Sequence, residues 1–517
     1  MKKVVLLFTF GCLSCIFGLA AEISLSGMFS DHAVLQRNQP VKVWGWAEPS
    51  EKVMVEFVGE TKSTTTDSEG NWSVTFSAQK AGGPHVLVVK GSNEISRSDI
   101  LFGEVWVCSG QSNMGWSVGS SRDGDLEALL CEDSNLRLIT ISNKGSQEKH
   151  KDVQGTWTLA NSQSVPRFSA VGYYFGRELR RALNVPVGLI NNAWGGSACE
   201  AWVPRAVLTT DKRNDRYVKA FAERVAGFDE EKTMAAYQKK LEAWKLKAKK
   251  ARADKTAVPR APRKPQNPRF GQHRPANLYN TRINPLLGYG IKGAIWYQGE
   301  NNTNDNRSYG YRYLLPMMIK TWRKDWGVGD FSFYWSQLAD FAQSRDADGY
   351  SPWAEMRESM TVAMQTTPKT GQAVITDLGE DTDIHPRKKV EVAKRLVRWA
   401  LVKDYGFELE CSSPMYKSHE IKADKVTLQF DHIAGGLRVY DFKTVTGFTI
   451  AGADQKFVPA QAKIMGDKIQ VCSDQVKVPV AVRYAWAGNP ECNIYSKIDL
   501  PLTPFRTDNW KLGSQID

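Results

Sequence analysis

The chain has 517 residues, 68 basic against 56 acidic, a formal charge of +12, with 42% hydrophobic and 24% charged residues. This length suggests about three domains, and the composition excludes wholesale disorder and a low-complexity or collagen-like chain. The +12 invites a polyanionic partner, so its location along the chain has to be found.

The chain opens with Lys2 and Lys3, followed by an apolar run over residues 4–19, the small residues Ala20 and Ala21, and Glu22. A charged start, a short apolar stretch and a small-residue exit predict a secretory signal peptide over residues 1–21, and so an exported protein, periplasmic or secreted. The run is about 16 residues, short of the roughly 20 that a spanning helix needs. No later segment reads as an integral membrane span. The six remaining cysteines (Cys108, Cys131, Cys199, Cys411, Cys472 and Cys492) show no CxxC spacing, so a zinc ribbon or redox motif is not expected. A Cys472–Cys492 disulfide and unpaired thiols are both compatible with the spacing.

Residues 22–102 read as an N-terminal β-sandwich-like domain. Short alternating runs at 41–46, 53–57, 72–76 and 86–89 are separated by turn clusters such as 67–71. From 103 to 405 the pattern changes. Apolar strands at 104–108, 136–141, 187–191, 291–297, 331–338 and 373–378 alternate with helical stretches at 170–183, 311–322 and 388–401. That alternation predicts an α/β domain with a mainly parallel sheet.

An insertion over about 205–275 interrupts this domain. In it Met234, Tyr237, Leu241, Trp244 and Ala248 repeat on one helix face, and a Pro- and Arg-rich extended segment follows. Strand-like alternation returns over 406–517, a C-terminal β module. The insertion also accounts for the charge. Residues 239–274 carry 13 basic residues against two acidic ones, Glu242 and Asp254. Outside this stretch and the signal the chain is close to neutral, so the charge gives no support to a nucleic-acid partner. It marks instead a solvated face or a patch for anionic glycans.

The strongest chemical signal is Gly110-Gln111-Ser112-Asn113-Met114, directly after the strand at 104–108. The carboxyl ends of parallel strands are where α/β sites form. A serine in a tight turn there presents its hydroxyl away from the sheet and its amide toward a developing oxyanion. Such a serine needs a base. Of seven histidines, His32, His85, His419 and His432 fall in the β modules, and His150 and His273 in polar loops. His385 remains, in Asp383-Ile384-His385-Pro386. With Pro386 in the first turn of the following helix, His385 sits near the N-cap, where the positive helix end keeps the ring neutral. Asp383, Asp381, Glu380 and Asp377 are all near enough in sequence to orient it.

Two more strand ends carry polar clusters. Asn192-Ala193-Trp194-Gly195-Gly196-Ser197 offers glycine amides as oxyanion donors. Trp296-Tyr297-Gln298-Gly299-Glu300-Asn301 offers the Gln298 carboxamide. Gln111, Asn113, Trp194, Glu300 and Arg387 are candidate substrate-binding residues, and Trp116 and Trp353 are further aromatic candidates for holding a sugar.

Taken together, Gly110–Met114, the segment from Trp194 to Trp202, the segment from Trp296 to Asn301, residues 377–388, and Pro504-Phe505-Arg506-Thr507-Asp508-Asn509-Trp510 resemble the sialate O-acetylesterases of the SGNH hydrolase superfamily. The resemblance implies a flavodoxin-like three-layer α/β/α esterase domain flanked by the two β modules. It implies Ser112 as nucleophile, His385 as base and Asp383 as the orienting acid. The oxyanion donors would be the amides of Ser112 and Gly196 and the side chain of Gln298. The wider superfamily places its acid three residues before the histidine, where this chain has Thr382; the matching acid is Asp383, two before. The implied substrate is an O-acetylated sugar, sialic acid first and acetylated xylan or another polysaccharide second, and neither metal nor cofactor is required. The contrasting possibility is a non-catalytic glycan-binding protein on a hydrolase-like scaffold; the joint presence of Ser112 and His385 argues against it.

Overall fold

The computed structural model describes residues 22–341, 350–441 and 444–516. The expected signal peptide lies outside the described residues. Among the described residues no helix is long and apolar enough to cross a membrane.

The organising element is a 17-residue strand, β1 (Glu94–Gly110), whose burial changes from alternating to complete at Ile100. Its first half belongs to the N-terminal module. There it pairs antiparallel with the strand Gly82–Lys90 and parallel with Val34–Gln36. Its second half lies in the middle of a parallel sheet. Complete burial on both faces is what a strand flanked by helical layers requires.

Five more parallel strands complete that sheet: β2 (Asp133–Thr140), β3 (Val187–Ala193), β4 (Gly293–Tyr297), β5 (Ser332–Ser336) and β6 (Thr370–Ala373). The spatial order is β2-β3-β1-β4-β5-β6, with the strand Thr158–Ala160 antiparallel on the β2 edge. Leaving out β2, the order in chain sequence is 2-1-3-4-5, a doubly wound arrangement. In such a sheet the crevice forms at the carboxyl ends beside the first strand, where the winding direction reverses.

The helices expected from periodicity are present. They are α1 (Ala170–Leu183), α3 (Glu230–Ala253), α4 (Tyr311–Trp326) and α6 (Lys389–Tyr405); α2 (Asp215–Ala226) and α5 (Pro352–Thr366) join them. In α1 the Ser169 hydroxyl accepts from the Gly172 amide, a side-chain cap of the first turn. Asn184 closes the helix in the left-handed conformation. The apolar face foreseen in the insertion is the covered face of α3: Met234, Tyr237, Leu241 and Trp244 are half-buried and Ala248 is buried, between exposed lysines. The strand expected at 373–378 ends at Ala373, and residues 374–388 form a long loop.

The N-terminal module and the α/β unit share one apolar core. Tyr289 donates its hydroxyl to the Val34 carbonyl, and Trp157 its indole N–H to the Met28 carbonyl. The C-terminal residues form three small antiparallel sheets around a separate core. Cys472 and Cys492 are free thiols, as are the other four cysteines.

Candidate functional site

β1 delivers the chain into a sharp turn. Gly110 sits at φ +134°, and a Cβ there would lie 2.2 Å from the Tyr297 carbonyl oxygen. Glycine is therefore required, for its backbone freedom and for the close approach of β4. The Gln111 amide donates to that same carbonyl at 2.9 Å. Ser112 then opens a single helical turn, Ser112–Gly115.

The Ser112 hydroxyl lies 2.8 Å from His385 Nε2. These residues are 273 positions apart in sequence, and a serine–imidazole hydrogen bond is the geometry that activates a serine oxygen. The His385 imidazole stacks on the Trp116 indole, centroids 4.7 Å apart and planes 12° from parallel. One face of Trp116, a candidate for holding a sugar, is thus covered by the imidazole.

Of the four carboxylates considered beside His385, Asp383 is the one that reaches it. Its Oδ1 accepts the His385 backbone N–H at 2.9 Å and lies 3.4 Å from Nδ1. The other three are engaged elsewhere. Asp377 makes a two-pronged pair with Arg395, Glu380 pairs with Arg387, and Asp381 accepts from the Asn489 side chain of the C-terminal module. The Asp383 side chain is 53% exposed, so its attraction to the ring is screened by water.

His385 is not at a helix N-cap. α6 begins at Lys389, because the Arg387 amide and guanidinium both bind Glu380 and hold residues 380–388 as an irregular turn. The His385 pKa nevertheless falls below its usual range. Burial is the first cause, the Asp383 charge opposes it, and the Lys389 ammonium adds to it. A neutral imidazole is what a general base needs.

Beneath this pair lies a buried polar network. Asn113 donates one amide hydrogen to Glu300 Oε1 at 2.6 Å and the other to the Ile384 carbonyl at 2.9 Å. Its Oδ1 accepts from Lys389 Nζ at 2.5 Å. Lys389 is fully buried and Glu300 nearly so. Burial pushes the Lys389 pKa down to about 7, against the pull of Glu300, and raises the Glu300 pKa. One asparagine therefore ties the Ser112 turn to the residue before His385. Lys389, four residues after His385, is a site residue that sequence reasoning missed; that spacing was the available signal.

Several expected contacts to substrate are corrected by burial. Gln111, Asn113 and Glu300 sit under the turn with at most 5% exposure, bonded to protein. They shape the site from below and do not face a ligand. Trp353 is a core residue that donates to the Ala339 carbonyl. Gln298 is fully buried, with its Nε2 donating to the Ser197 carbonyl and to Asn302 Oδ1 and its Oε1 accepting from the Tyr311 hydroxyl. Its donors are committed to the fold, so it does not supply the oxyanion contact expected of it. Trp194 is half-buried under the Arg282 guanidinium, and Arg387 is exposed beyond its pair with Glu380.

The glycine turn is placed as expected. Gly195 and Gly196 form the centre of a tight turn closed by the Ser197 amide on the Trp194 carbonyl, with Gly196 at φ +70°. A Cβ on Gly195 would lie 3.5 Å from the Ser112 Cβ. Among the described residues the amides of Ser112, Gly195 and Gly196 find no protein acceptor. The arrangement therefore offers a nucleophilic oxygen, a neutral base and free N–H donors at one strand-end crevice, the equipment of acyl transfer. Among the described residues no cluster of His, Cys, Asp or Glu is spaced to hold a metal ion.

Comparison with known proteins places the chain in a family. The family model for carbohydrate esterases, sialic acid-specific acetylesterase, matches residues 103–252 and 272–399. The chain is 26% identical to the sialate O-acetylesterase of Rattus norvegicus, over 94% of this chain and 95% of that one. It is also 26% identical to the Homo sapiens sialate O-acetylesterase, over 90% of this chain and 88% of that one. A crystal structure of a carbohydrate acetylesterase from Xanthomonas citri is 37% identical, with a TM-score of 0.81 over 95% of this chain and all of that one.

Proposed function

Because the chain belongs to the carbohydrate esterase family of sialic acid-specific acetylesterases, we propose that it removes O-acetyl groups from sialic acids through an acetyl-serine intermediate. It is a carboxylic ester hydrolase by family. The observation that carries the mechanism is the 2.8 Å contact between Ser112 Oγ and His385 Nε2 beside unengaged backbone amides.

In this reading the scaffold is an SGNH-type domain, supported by the strand order and by the nucleophile turn after β1. Ser112 Oγ attacks the acetyl carbonyl carbon, and His385 Nε2 takes the hydroxyl proton. The carbonyl oxygen becomes an oxyanion and is held by the amides of Ser112 and of the Gly195–Gly196 turn. The C–O bond to the sugar breaks, and His385 returns the proton to the leaving sugar oxygen. Water, deprotonated by the same imidazole, then releases acetate and frees Ser112. Asp383 orients the ring through Nδ1.

A second reading is acetylated xylan or another polysaccharide, since the similar Xanthomonas citri protein is described as a carbohydrate acetylesterase, a class wider than sialic acids. The apolar run behind Lys2 and Lys3 supports export to the periplasm or medium. The test is acetate release from O-acetylated sialic acid, acetylated xylan and p-nitrophenyl acetate by wild type and Ser112→Ala. Loss of all turnover in the variant is expected. A variant as active as wild type overturns the serine mechanism, and a wild type active on xylan alone selects the second reading.

A further inference from the structure

Most basic residues of the insertion lie exposed along and after α3. The insertion folds back so that part of it borders the esterase centre. A cleft of about 370 Å³ is lined by Phe221, Arg224, Arg263, Lys264, Gln272 and His273 among others, and no carboxylate lines it. Among the described residues neither Arg224, Arg263 nor Lys264 has an acidic partner within ion-pairing distance. Arg213 pairs with Asp211 and Lys245 with Glu242, and what sets Arg224, Arg263 and Lys264 apart from the other basic residues of the insertion is that they line one concavity. Three unpaired cations converging on a concavity without acids make a strong local positive potential.

Two links join this cleft to the nucleophile turn. Gln272 donates its side-chain amide to the Gly195 carbonyl at 3.3 Å, and Gly195 packs against Ser112. His273 Nδ1 lies 3.4 Å from the Asn301 side chain, whose backbone amide donates to Gln111 Oε1. The floor of the cleft is thus the outer wall of the glycine turn. A second concavity of about 330 Å³ shares Phe221 and Arg224 with it and runs along Tyr217; there Arg307 is paired with Glu200 and Asp305, which leaves Arg224 open to a ligand. An apolar ring beside cations suits a sugar that has both an apolar face and a negative charge. Burial and the nearby charges of Arg224 and Arg307 hold His273 below its usual pKa, in keeping with the field expected there.

We propose that this cleft is a carboxylate subsite, which holds the acid group of an acidic sugar while its acetyl ester is presented to Ser112. The inference rests on the esterase reading and narrows its substrate to carboxylate-bearing sugars. A sialic acid and a uronic acid residue of a polysaccharide share that chemistry.

The experiment compares wild type, R224Q and R263Q/K264Q, each first shown to keep the wild-type melting temperature. Four substrates are used: an O-acetylated sialic acid, its carboxyl methyl ester, acetylated galacturonan and p-nitrophenyl acetate. The double variant is expected to raise KM for a carboxylate substrate by about tenfold, with kcat unchanged. The methyl ester and p-nitrophenyl acetate are expected to respond equally little. A KM increase confined to the sialic acid, or to the galacturonan, identifies which acid the cleft takes. Equal wild-type KM for the sialic acid and its methyl ester, or an equal loss on all four substrates, overturns the subsite. Failure of the esterase reading looks different: Ser112→Ala then hydrolyses p-nitrophenyl acetate as fast as wild type, whatever the arginine variants do.

Discussion

The Trp116 indole and the His385 imidazole lie face to face, 4.7 Å between centroids and 12° from parallel. Trp116 belongs to the turn that follows the nucleophile and donates its Nε1–H to the Ser120 carbonyl. One face of the base is therefore fixed by the same segment that carries Ser112. Replacing Trp116 by alanine frees the ring to rotate away. The expected outcome is a fall in kcat of about tenfold to a hundredfold, with KM little changed, and substantial recovery in Trp116→Phe. Equal kcat in the alanine variant and wild type would show that the stack contributes nothing to positioning.

Asp383 and Lys389 act on His385 with opposite sign. If His385 is the base, as proposed, it works when neutral, and kcat/KM is expected to rise with pH through its pKa. That pKa is already below its usual value, which places the acid limb below the range of an ordinary histidine. Removing the negative charge in Asp383→Asn lowers the pKa further and moves the limb to more acid pH. Removing the positive charge in Lys389→Met raises it and moves the limb toward neutrality, and Lys389→Arg restores the position. Lys389 titrates near 7, so it is charged over the pH range of that limb. Limbs moving in the same direction in the two charge-removing variants would refute this assignment.

The size of the Asp383 effect is also set by geometry. Buried orienting acids are worth about 10⁴ in kcat. Asp383 is half exposed and 3.4 Å from the ring nitrogen, and Trp116 shares the task of holding the ring. Asp383→Asn is expected to cost about tenfold to a hundredfold, and Asp381→Asn less than about threefold. Steady-state rates on p-nitrophenyl acetate decide it; a larger loss in Asp381→Asn would move the acid role there.

Gly110→Ala is expected to destabilise the protein by about 3 kcal/mol or more, since a methyl group would collide with the Tyr297 backbone at an unfavourable φ. Denaturant titration measures the loss. Gln298→Ala is expected to cost stability through its orphaned partners more than it costs kcat in the fraction that stays folded. If kcat falls by more than about a hundredfold while the melting temperature holds, Gln298 does contact the oxyanion after all.

How far these features were legible depends on what each one rests on. Ser112 and His385 stand out because a strand followed by a glycine turn has few outlets for a polar side chain, and because the α/β segments hold few histidines. The parallel strands were readable because burial on both faces makes their runs apolar throughout. Which way a motif residue points was not readable. Gln111, Asn113, Gln298 and Glu300 neighbour the nucleophile turn or end its flanking strand, yet the tight turn sends them under the sheet edge. Lys389 escaped notice because a lysine at a helix start normally faces water; here Asn113 and Glu300 compensate its burial. Helix α5 lacked a clean apolar stripe, because Glu355, Arg357 and Ser359 are buried on it beside Met356 and Met360. Arg357 is held there by backbone carbonyls of Leu338, Ala339, Ala487 and Gly488.

The single strand β1 has a consequence for how this protein can be cut or shuffled. The N-terminal module is not an appendage joined by a linker; its last strand is the same unbroken segment that ends at the nucleophile. A chain begun at residue 103 would start inside the central strand and would strip Val34–Gln36 from its flank. Strain from a partner pulling on the outer module would run along that strand toward the serine turn, past Asp99, whose φ of +53° interrupts the extended backbone. Swapping the module between relatives should therefore perturb catalysis from a distance.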